Sequence, residues 1–270
     1  MTLSDVEIEK YREDGYVVPS LRLAPARVAT LRNTLERIIA DNPTIRPERL
    51  VSAHLEGKNA EGVRGSGDFL DLARDPDIVA AVARLIGPDV ILWGCQIFCK
   101  PGGDGMEVPW HQDGHYWPIR PLATCTVWIA LDDSKIENGC LRVIPGSHRS
   151  RELLDHMRED RTDLVLNQRA VPGSFDEGKA TDIELEPGQM SMHDVYLIHG
   201  SNANRSPKRR AGVAIRYMPG TSLFDRALIA TGSASGYRVD FATRPLWLLS
   251  GQDRTGHNDF RIGHAAAGAI

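Results

Sequence analysis

Apolar positions recur every three or four residues through the first third of the chain and nearer to every second residue beyond it. Ser4 and Glu7 stand where a capping box would close the first turn of a helix through IEKYRED. Pro25 lies where a second helix can begin. Val28, Leu31, Leu35 and Ile38 or Ile39 follow at helical spacing, until Asn42-Pro43 ends the pattern. A further helix is predicted from about Pro76 to Ile86, with Ile78, Val79, Val82 and Leu85 on one face and Gly87-Pro88 as its stop. After Pro88 the chain offers VILWGCQIFCK, TCTVWIALDD, LRVIPGSH, DIELEPGQMSMHD, VYLIHGS and GVAIRYMP. These short, β-rich runs are divided by Gly, Pro, Asn and Asp. They predict an antiparallel double-sheet or barrel core, mainly β, with the helices buttressing one face. The charged stretch 149–181, with Pro172 and Gly173, reads as an excursion between strands. With no linker or repeat, we expect one domain over 1–270. Its helical part runs to about 88, its β core over about 89–220, and its tail over 221–270.

Composition narrows the function classes. Net charge is −4 with acids and bases interspersed, and Lys208-Arg209-Arg210 is too short a basic run for a nucleic-acid footprint. No stretch approaches the roughly 18 uninterrupted apolar residues of a membrane span. The N-terminus, MTLSDVEIEKYRED, lacks the apolar centre of a secretory signal. Cys95 and Cys99 are spaced C-x3-C, but Cys125 and Cys140 form no second close pair to complete a zinc site. The four read as buried free thiols in a reducing compartment, so the expected location is cytoplasmic.

Candidate chemistry concentrates in PWHQDGHYWPIRP, residues 109–121. In extended chain, residues two apart share a face, so His111 and Asp113 can point at one ion. Pro109 favours extension of its neighbour. One imidazole and one carboxylate make up two-thirds of the facial triad that holds non-haem Fe(II). Alone the pair is a weak signal. Nine histidines and 22 aspartates in 270 residues give about one such spacing by chance, and His257-Asn258-Asp259 is a second copy, in a polar C-terminal stretch. His193 and His199 compete for the third place; Gly200 after His199 would allow close backbone approach to a ligand. Further on, Arg210, Gly212, Ala214 and Arg216 share one face of an extended strand, with small residues between the arginines. A buried arginine needs an anion, and a ligand carboxylate would satisfy the guanidinium fork.

Several of these segments, in this order, resemble the phytanoyl-CoA dioxygenase family of Fe(II)- and 2-oxoglutarate-dependent oxygenases. The likeness runs from Asp14-Gly15-Tyr16-Val17 to Tyr217. It rests on HQD with HYWPIRP, on WIALDDSKIENGCLRVIPGSH, and on HGSNANRSPKRRAGVAIRYMP. The resemblance implies a double-stranded β-helix, a jelly-roll and cupin-like fold. It implies His111, Asp113 and His199 as iron ligands, and so chooses His199 over His193. It implies Arg210 on the distal carboxylate of 2-oxoglutarate, with Ser201 beside it and Trp128, Gln96 and Thr126 lining the co-substrate pocket. Fe(II), 2-oxoglutarate and O2 would be the cofactors, with a small molecule as substrate. Related halogenases carry a small residue in place of the carboxylate, so Asp113 implies hydroxylation of an unactivated C–H bond, with release of succinate and CO2.

The substrate itself is not written in a motif. Tyr116, Trp117, Arg120, Arg216 and His54 are the candidate lining residues. Their mixture of aromatics and arginines suits a small polar or anionic metabolite. A CoA-linked substrate rests on the family's name alone. Two other classes stand beside this reading. A cupin-type metal enzyme that does not use 2-oxoglutarate would need no clamp at Arg210. A catalytically silent binding or sensing module would need no intact triad.

Overall fold

The structure, a computed structural model, describes residues 2–228 and 239–264. The expected helices are present. α1 (Asp5–Asp14) carries the full Ser4–Glu7 capping box and ends on Gly15 in the left-handed conformation. α2 (Pro25–Asp41) buries Val28, Leu31, Leu35 and Ile38. A short α3 (Gly67–Ala73), capped by Ser66, precedes α4 (Pro76–Ile86). At seven residues, α3 is too short to show a helical period in sequence.

Eleven strands form the two main sheets. They are β1 (Tyr16–Val17), β2 (Leu50–Val51), β3 (Val90–Lys100), β4 (Val108–His111), β5 (Cys125–Ala130), β6 (Leu141–Val143), β7 (Thr181–Ile183), β8 (Met190–Asp194), β9 (His199–Ser201), β10 (Arg210–Pro219) and β11 (Trp247–Ser250). The larger sheet runs β1-β8-β5-β10-β3-β11, with β2 also on β3, and the smaller runs β7-β6-β9-β4. The pairings are antiparallel. Trp128, Ala130 and Ala214 of the larger sheet pack against Leu141, Val143 and Ile183 of the smaller. This is the jelly-roll core that the spacing of strands and turns predicts.

Alternation on β3, β5, β8 and β10 decides what each face meets. Cys95, Ile97, Cys99, Val127, Ile129, Met190, Met192, Val213 and Ile215 bury against the helices in one apolar cluster. Their neighbours Gln96, Thr126, Trp128, His193, Ala214 and Arg216 line a cavity between the sheets. All four cysteines are buried free thiols.

Three sequence expectations change. The run VYLI is not a strand: pairing starts at His199, and DIELEPGQMSMHD divides into β7 and β8, in different sheets. The excursion 149–181 returns on itself as a ribbon, His156–Arg158 against Gln168–Ala170. Val165 from it joins Met106 and Val108 in a small cluster. The described residues of the expected tail, 221–228 and 239–264, dock onto the core. β11 pairs with Val90, Ile91 and Leu92, and the Asp89 carboxylate accepts from the Gln252 amide at 2.8 Å and from Arg254 at 2.6 Å. The Asn258 side chain accepts from the Phe224 amide and donates to the Ser222 carbonyl. Polar loops of this kind have no period to reveal that they dock.

Candidate metal centre and its cavity

β4 and β9 bring the first two ligand candidates face to face, with His111 directly opposite His199 in the ladder. Both imidazoles are oriented in the same way. Each Nδ1 meets the carbonyl two residues back, Pro109 at 2.8 Å and Leu197 at 2.9 Å, which fixes Nδ1 as the protonated nitrogen and leaves Nε2 its lone pair. Strand pairing ends at His111, and Asp113 opens a one-turn 3-10 helix, Asp113–His115. Gln112 between them stays extended, so the two side chains still share a side. Asp113 Oδ1 lies 3.6 Å from His111 Nε2 and 4.0 Å from His199 Nε2. The three donor atoms all fall within 4.8 Å of one another, and all three residues are buried.

A buried set of two imidazoles and a carboxylate suits a divalent first-row metal better than it suits hydrogen bonding alone. Burial works to raise the Asp113 pKa. The neighbouring imidazoles of His111, His193 and His199, with Arg216 close by, outweigh it, and the carboxyl stays well below its usual range. Burial and the neighbouring His111 hold His199 well below the usual imidazole value. Both shifts favour the ligating forms, carboxylate and neutral imidazole. Thr126 Oγ1 donates to Asp113 Oδ2 at 3.3 Å.

His193, the competing histidine, stands close behind. Its Nε2 is 3.6 Å from Asp113 Oδ2, and its ring centre is 4.7 Å from that of His199. Neither of its ring nitrogens has a hydrogen-bond partner among the described residues. Gly200 allows a close approach, though not to a ligand: a Cβ there would stand 2.9 Å from the Val108 carbonyl of β4.

Arg210 begins β10 and turns inward, with 2% of its surface exposed. Its Nε donates to the Gly139 carbonyl at 3.1 Å and its Nη1 to the Phe98 carbonyl at 3.3 Å. The guanidinium lies over the Trp128 ring, 5.3 Å from its centre. That stacking requires a glycine at 212, where a Cβ would sit 2.1 Å from the indole. No described carboxylate lies within ion-pair distance of Arg210, and burial lowers its pKa to about 10. Arg209 faces the other way, onto Asp132 and Glu36, and Lys208 reaches Glu137 at the surface. Ser201 opens onto the same cavity.

Lys100, which the sequence reading passed over, is buried behind Ser201. Its Nζ donates to Ser201 Oγ at 2.7 Å and to the Asn202 carbonyl. Burial, with Arg210 nearby, pushes its pKa well below the usual lysine range. A lysine ending an otherwise apolar strand was the available signal.

The cavity holds about 570 Å³. Of the residues expected there, Gln96, Thr126, Trp128, Ser201, Arg210, Tyr116, Trp117 and Arg216 line it. Two do not. Arg120 is exposed and donates to the carbonyls of Trp117 and Ile119, its own strand's neighbours. His54 is buried against Trp247, ring centres 5.1 Å apart, on the helix side of β3. Sequence reasoning also missed Arg226, Phe241 and Arg244, which line the cavity from the supposed tail. His257 and Asp259, the second His-x-Asp, stay outside it, with Asp259 paired to Arg261.

Comparison with known proteins agrees with this geometry. The chain is 28% identical over 240 residues to the ectoine dioxygenase of Bordetella parapertussis, covering 80% of this chain and 75% of that one. It is 25% identical over 224 residues to the human peroxisomal phytanoyl-CoA dioxygenase, covering 77% and 66%. Among solved structures, the non-haem monooxygenase ThoJ superposes with a TM-score of 0.67 at 26% identity, over 86% of each chain. The epimerase SnoN, at 23% identity and a TM-score of 0.66, shares the fold. No helix of the described residues is long and apolar enough to cross a membrane. The phytanoyl-CoA dioxygenase family model matches residues 11–212, a span that holds all three ligand candidates and Arg210, and the chain belongs to that family of Fe(II)- and 2-oxoglutarate-dependent dioxygenases.

Proposed function

We propose that this dioxygenase hydroxylates an unactivated C–H bond of a small-molecule metabolite, with His111, Asp113 and His199 as the Fe(II) ligands and Arg210 as the clamp on 2-oxoglutarate. The observation that carries the reading is a buried arginine, Arg210, without a carboxylate partner among the described residues, in the same cavity as a buried two-histidine, one-carboxylate set. An unpaired buried charge is costly, so the site calls for an anion.

Iron with 2-oxoglutarate and O2 supplies the oxidising power when bound; the chain supplies orientation and dryness. His111 and His199 present fixed Nε2 atoms, because their Nδ1–H groups are tied to backbone. Thr126 holds one Asp113 oxygen. Arg210, held by two carbonyls and the Trp128 face, presents its remaining N–H groups to the far carboxylate of the co-substrate. Ser201 already accepts from Lys100, so its own hydroxyl hydrogen is left for the same carboxylate. The aromatic walls exclude water from the reacting C–H bond. We read the location as cytoplasmic, since four buried free thiols suit a reducing compartment.

An anaerobic titration with Fe(II) and then 2-oxoglutarate tests the reading. The expected result is a weak visible charge-transfer band that needs both components. Tight iron binding with no band on adding 2-oxoglutarate would instead favour a cupin-type enzyme that uses no such co-substrate.

A further inference from the structure

Resting on the proposed function, and deepening it, we infer that the substrate is an anion with an apolar body, and that Arg216, framed by Trp93 and Trp117, receives its negative group. Four observations lead there.

The first is position. Arg210 and Arg216 share the inner face of β10, at opposite ends of the cavity. At about 3.3 Å per residue their backbones are about 20 Å apart. Thr126, which holds Asp113, is the ladder partner of Arg216. Arg216 therefore stands near the ligand set on the side away from the clamp.

The second is preparation. The Arg216 guanidinium lies 5.2 Å from the Trp117 ring centre and 5.7 Å from that of Trp93. The two indoles meet edge to face at 4.5 Å. Its Nη2 donates to Gln96 Oε1 at 3.2 Å. A guanidinium fixed by stacking loses less freedom on gripping a planar or tetrahedral anion.

The third is charge. Fe(II), the Asp113 carboxylate, dianionic 2-oxoglutarate and the Arg210 cation sum to zero. The formal charges left on the described wall are those of Arg216, Arg226, Arg244 and Asp240. Arg244 is already neutralised by Glu61, buried with it at 2.6 Å. Asp240 caps the turn that follows, accepting from the Ala242 amide. Among the described residues the wall's formal charges lean positive.

The fourth is the apolar complement. Tyr116 packs near His111 and Trp117 near Arg216, and Phe241 and Leu228 line the same cavity. A carboxylate or phosphonate on a compact hydrocarbon body fits this wall, and a cation does not.

The probes are phenylacetate, phenylacetamide and phenethylamine, alike in shape and different in charge. Each is titrated anaerobically into the Fe(II)- and 2-oxoglutarate-loaded protein. Tryptophan emission reports binding, and the visible band reports any change at the metal. Phenylacetate should bind about tenfold more tightly than the amide, as a charged hydrogen-bonding partner does over a neutral one. The amine should bind most weakly. Arg216→Gln should erase the preference, and Arg216→Lys should keep part of it. Equal binding of acid and amide, a persisting preference in Arg216→Gln, or no response to any probe at millimolar concentration overturns the inference. If the visible band never forms while emission still shows the preference for phenylacetate, the co-substrate reading fails and the anion site stands.

Discussion

On the central strands, residues one position apart face opposite demands. Cys95, Ile97, Val127, Ile129, Val213 and Ile215 meet the helices, while Gln96, Thr126, Trp128, Ala214 and Arg216 meet the cavity. The helix face asks only for apolar volume, and its members are closed off by protein on all sides. The cavity face also keeps Arg210, with no carboxylate at ion-pair distance, and His193, with no hydrogen-bond partner, both among the described residues. One face is complete as folded. The other is complete only with what it binds. The same backbone, with a period of two, therefore separates stability from chemistry by a single residue step.

Substitutions can break that division, and the largest effect is expected at the triad. Loss of a residue that merely supports a metal ligand costs about 10–100-fold. His199→Ala or Asp113→Ala should therefore lower succinate formation by more than about 100-fold and remove bound iron. His193→Ala should retain the iron. Metal analysis of the purified variants decides: iron lost from His193→Ala and kept in His199→Ala would exchange their roles.

Next comes the clamp. Losing one partner of a buried charged pair costs about 2–5 kcal/mol, equivalent to roughly 30-fold to several thousandfold. Arg210→Gln should weaken 2-oxoglutarate binding by that order, with iron affinity nearly unchanged. Arg209→Gln, one residue away and bound to Asp132, should change it little. Co-substrate titration of both variants checks this, and a larger defect in Arg209→Gln would contradict the facing of β10.

On the other face the outcome should reverse. Ile215→Ala should cost about 2–5 kcal/mol of stability, measured by urea unfolding, with turnover per folded molecule unchanged. A variant of normal stability and poor turnover would dissolve the distinction between the faces.

The smallest effect concerns pH. Burial, with Arg244 and Arg74 nearby, lowers the His54 pKa from 6.5 to about 3, and neither ring nitrogen has a hydrogen-bond partner among the described residues. Unfolding lets this imidazole take up a proton. Below pH 6.5 the unfolded state thus binds more protons, and stability falls as pH falls, until about pH 3. The cost is about 1.4 kcal/mol per pH unit, or about 2 kcal/mol at pH 5. His54→Leu should flatten stability between pH 6.5 and 4. An unchanged slope in thermal unfolding would assign the acid sensitivity elsewhere.

Much of this was legible in the sequence for a physical reason. Periodic burial writes α2, α4 and the alternation of β3, β5 and β10 directly into residue order, and Ser4 and Glu7 declare α1 by their hydrogen bonds. His111 and Asp113 lie close enough in sequence for local geometry to join them. The third ligand was not decidable locally, because His193 and His199 both end beside Asp113 and differ in where their Nδ1 atoms are held. Arg120 showed the right chemistry in the wrong place, since a strand's side chains can be assigned to alternating faces before either face is known, and His54 lies in a turn, which has no period to read. Arg226, Phe241 and Arg244 come from irregular chain whose docking depends on Asp89, Glu61 and Asn258, contacts that bridge up to 183 positions.

That docking has a consequence for the newborn protein. Every group proposed to hold metal and co-substrate has been synthesised by residue 210, and Arg216 follows at once. The wall carrying Phe241 and Arg244, and the strand that fastens it to Val90–Leu92, come later. At about 5–20 residues per second, translation needs about two to eight seconds to pass from residue 216 to 258. Over that interval the chain already contains every proposed ligand and clamp residue but not yet the wall that closes the cavity. The ties from Asp89 to Gln252 and Arg254 are therefore among the late contacts of synthesis, and closure of the cavity waits for them.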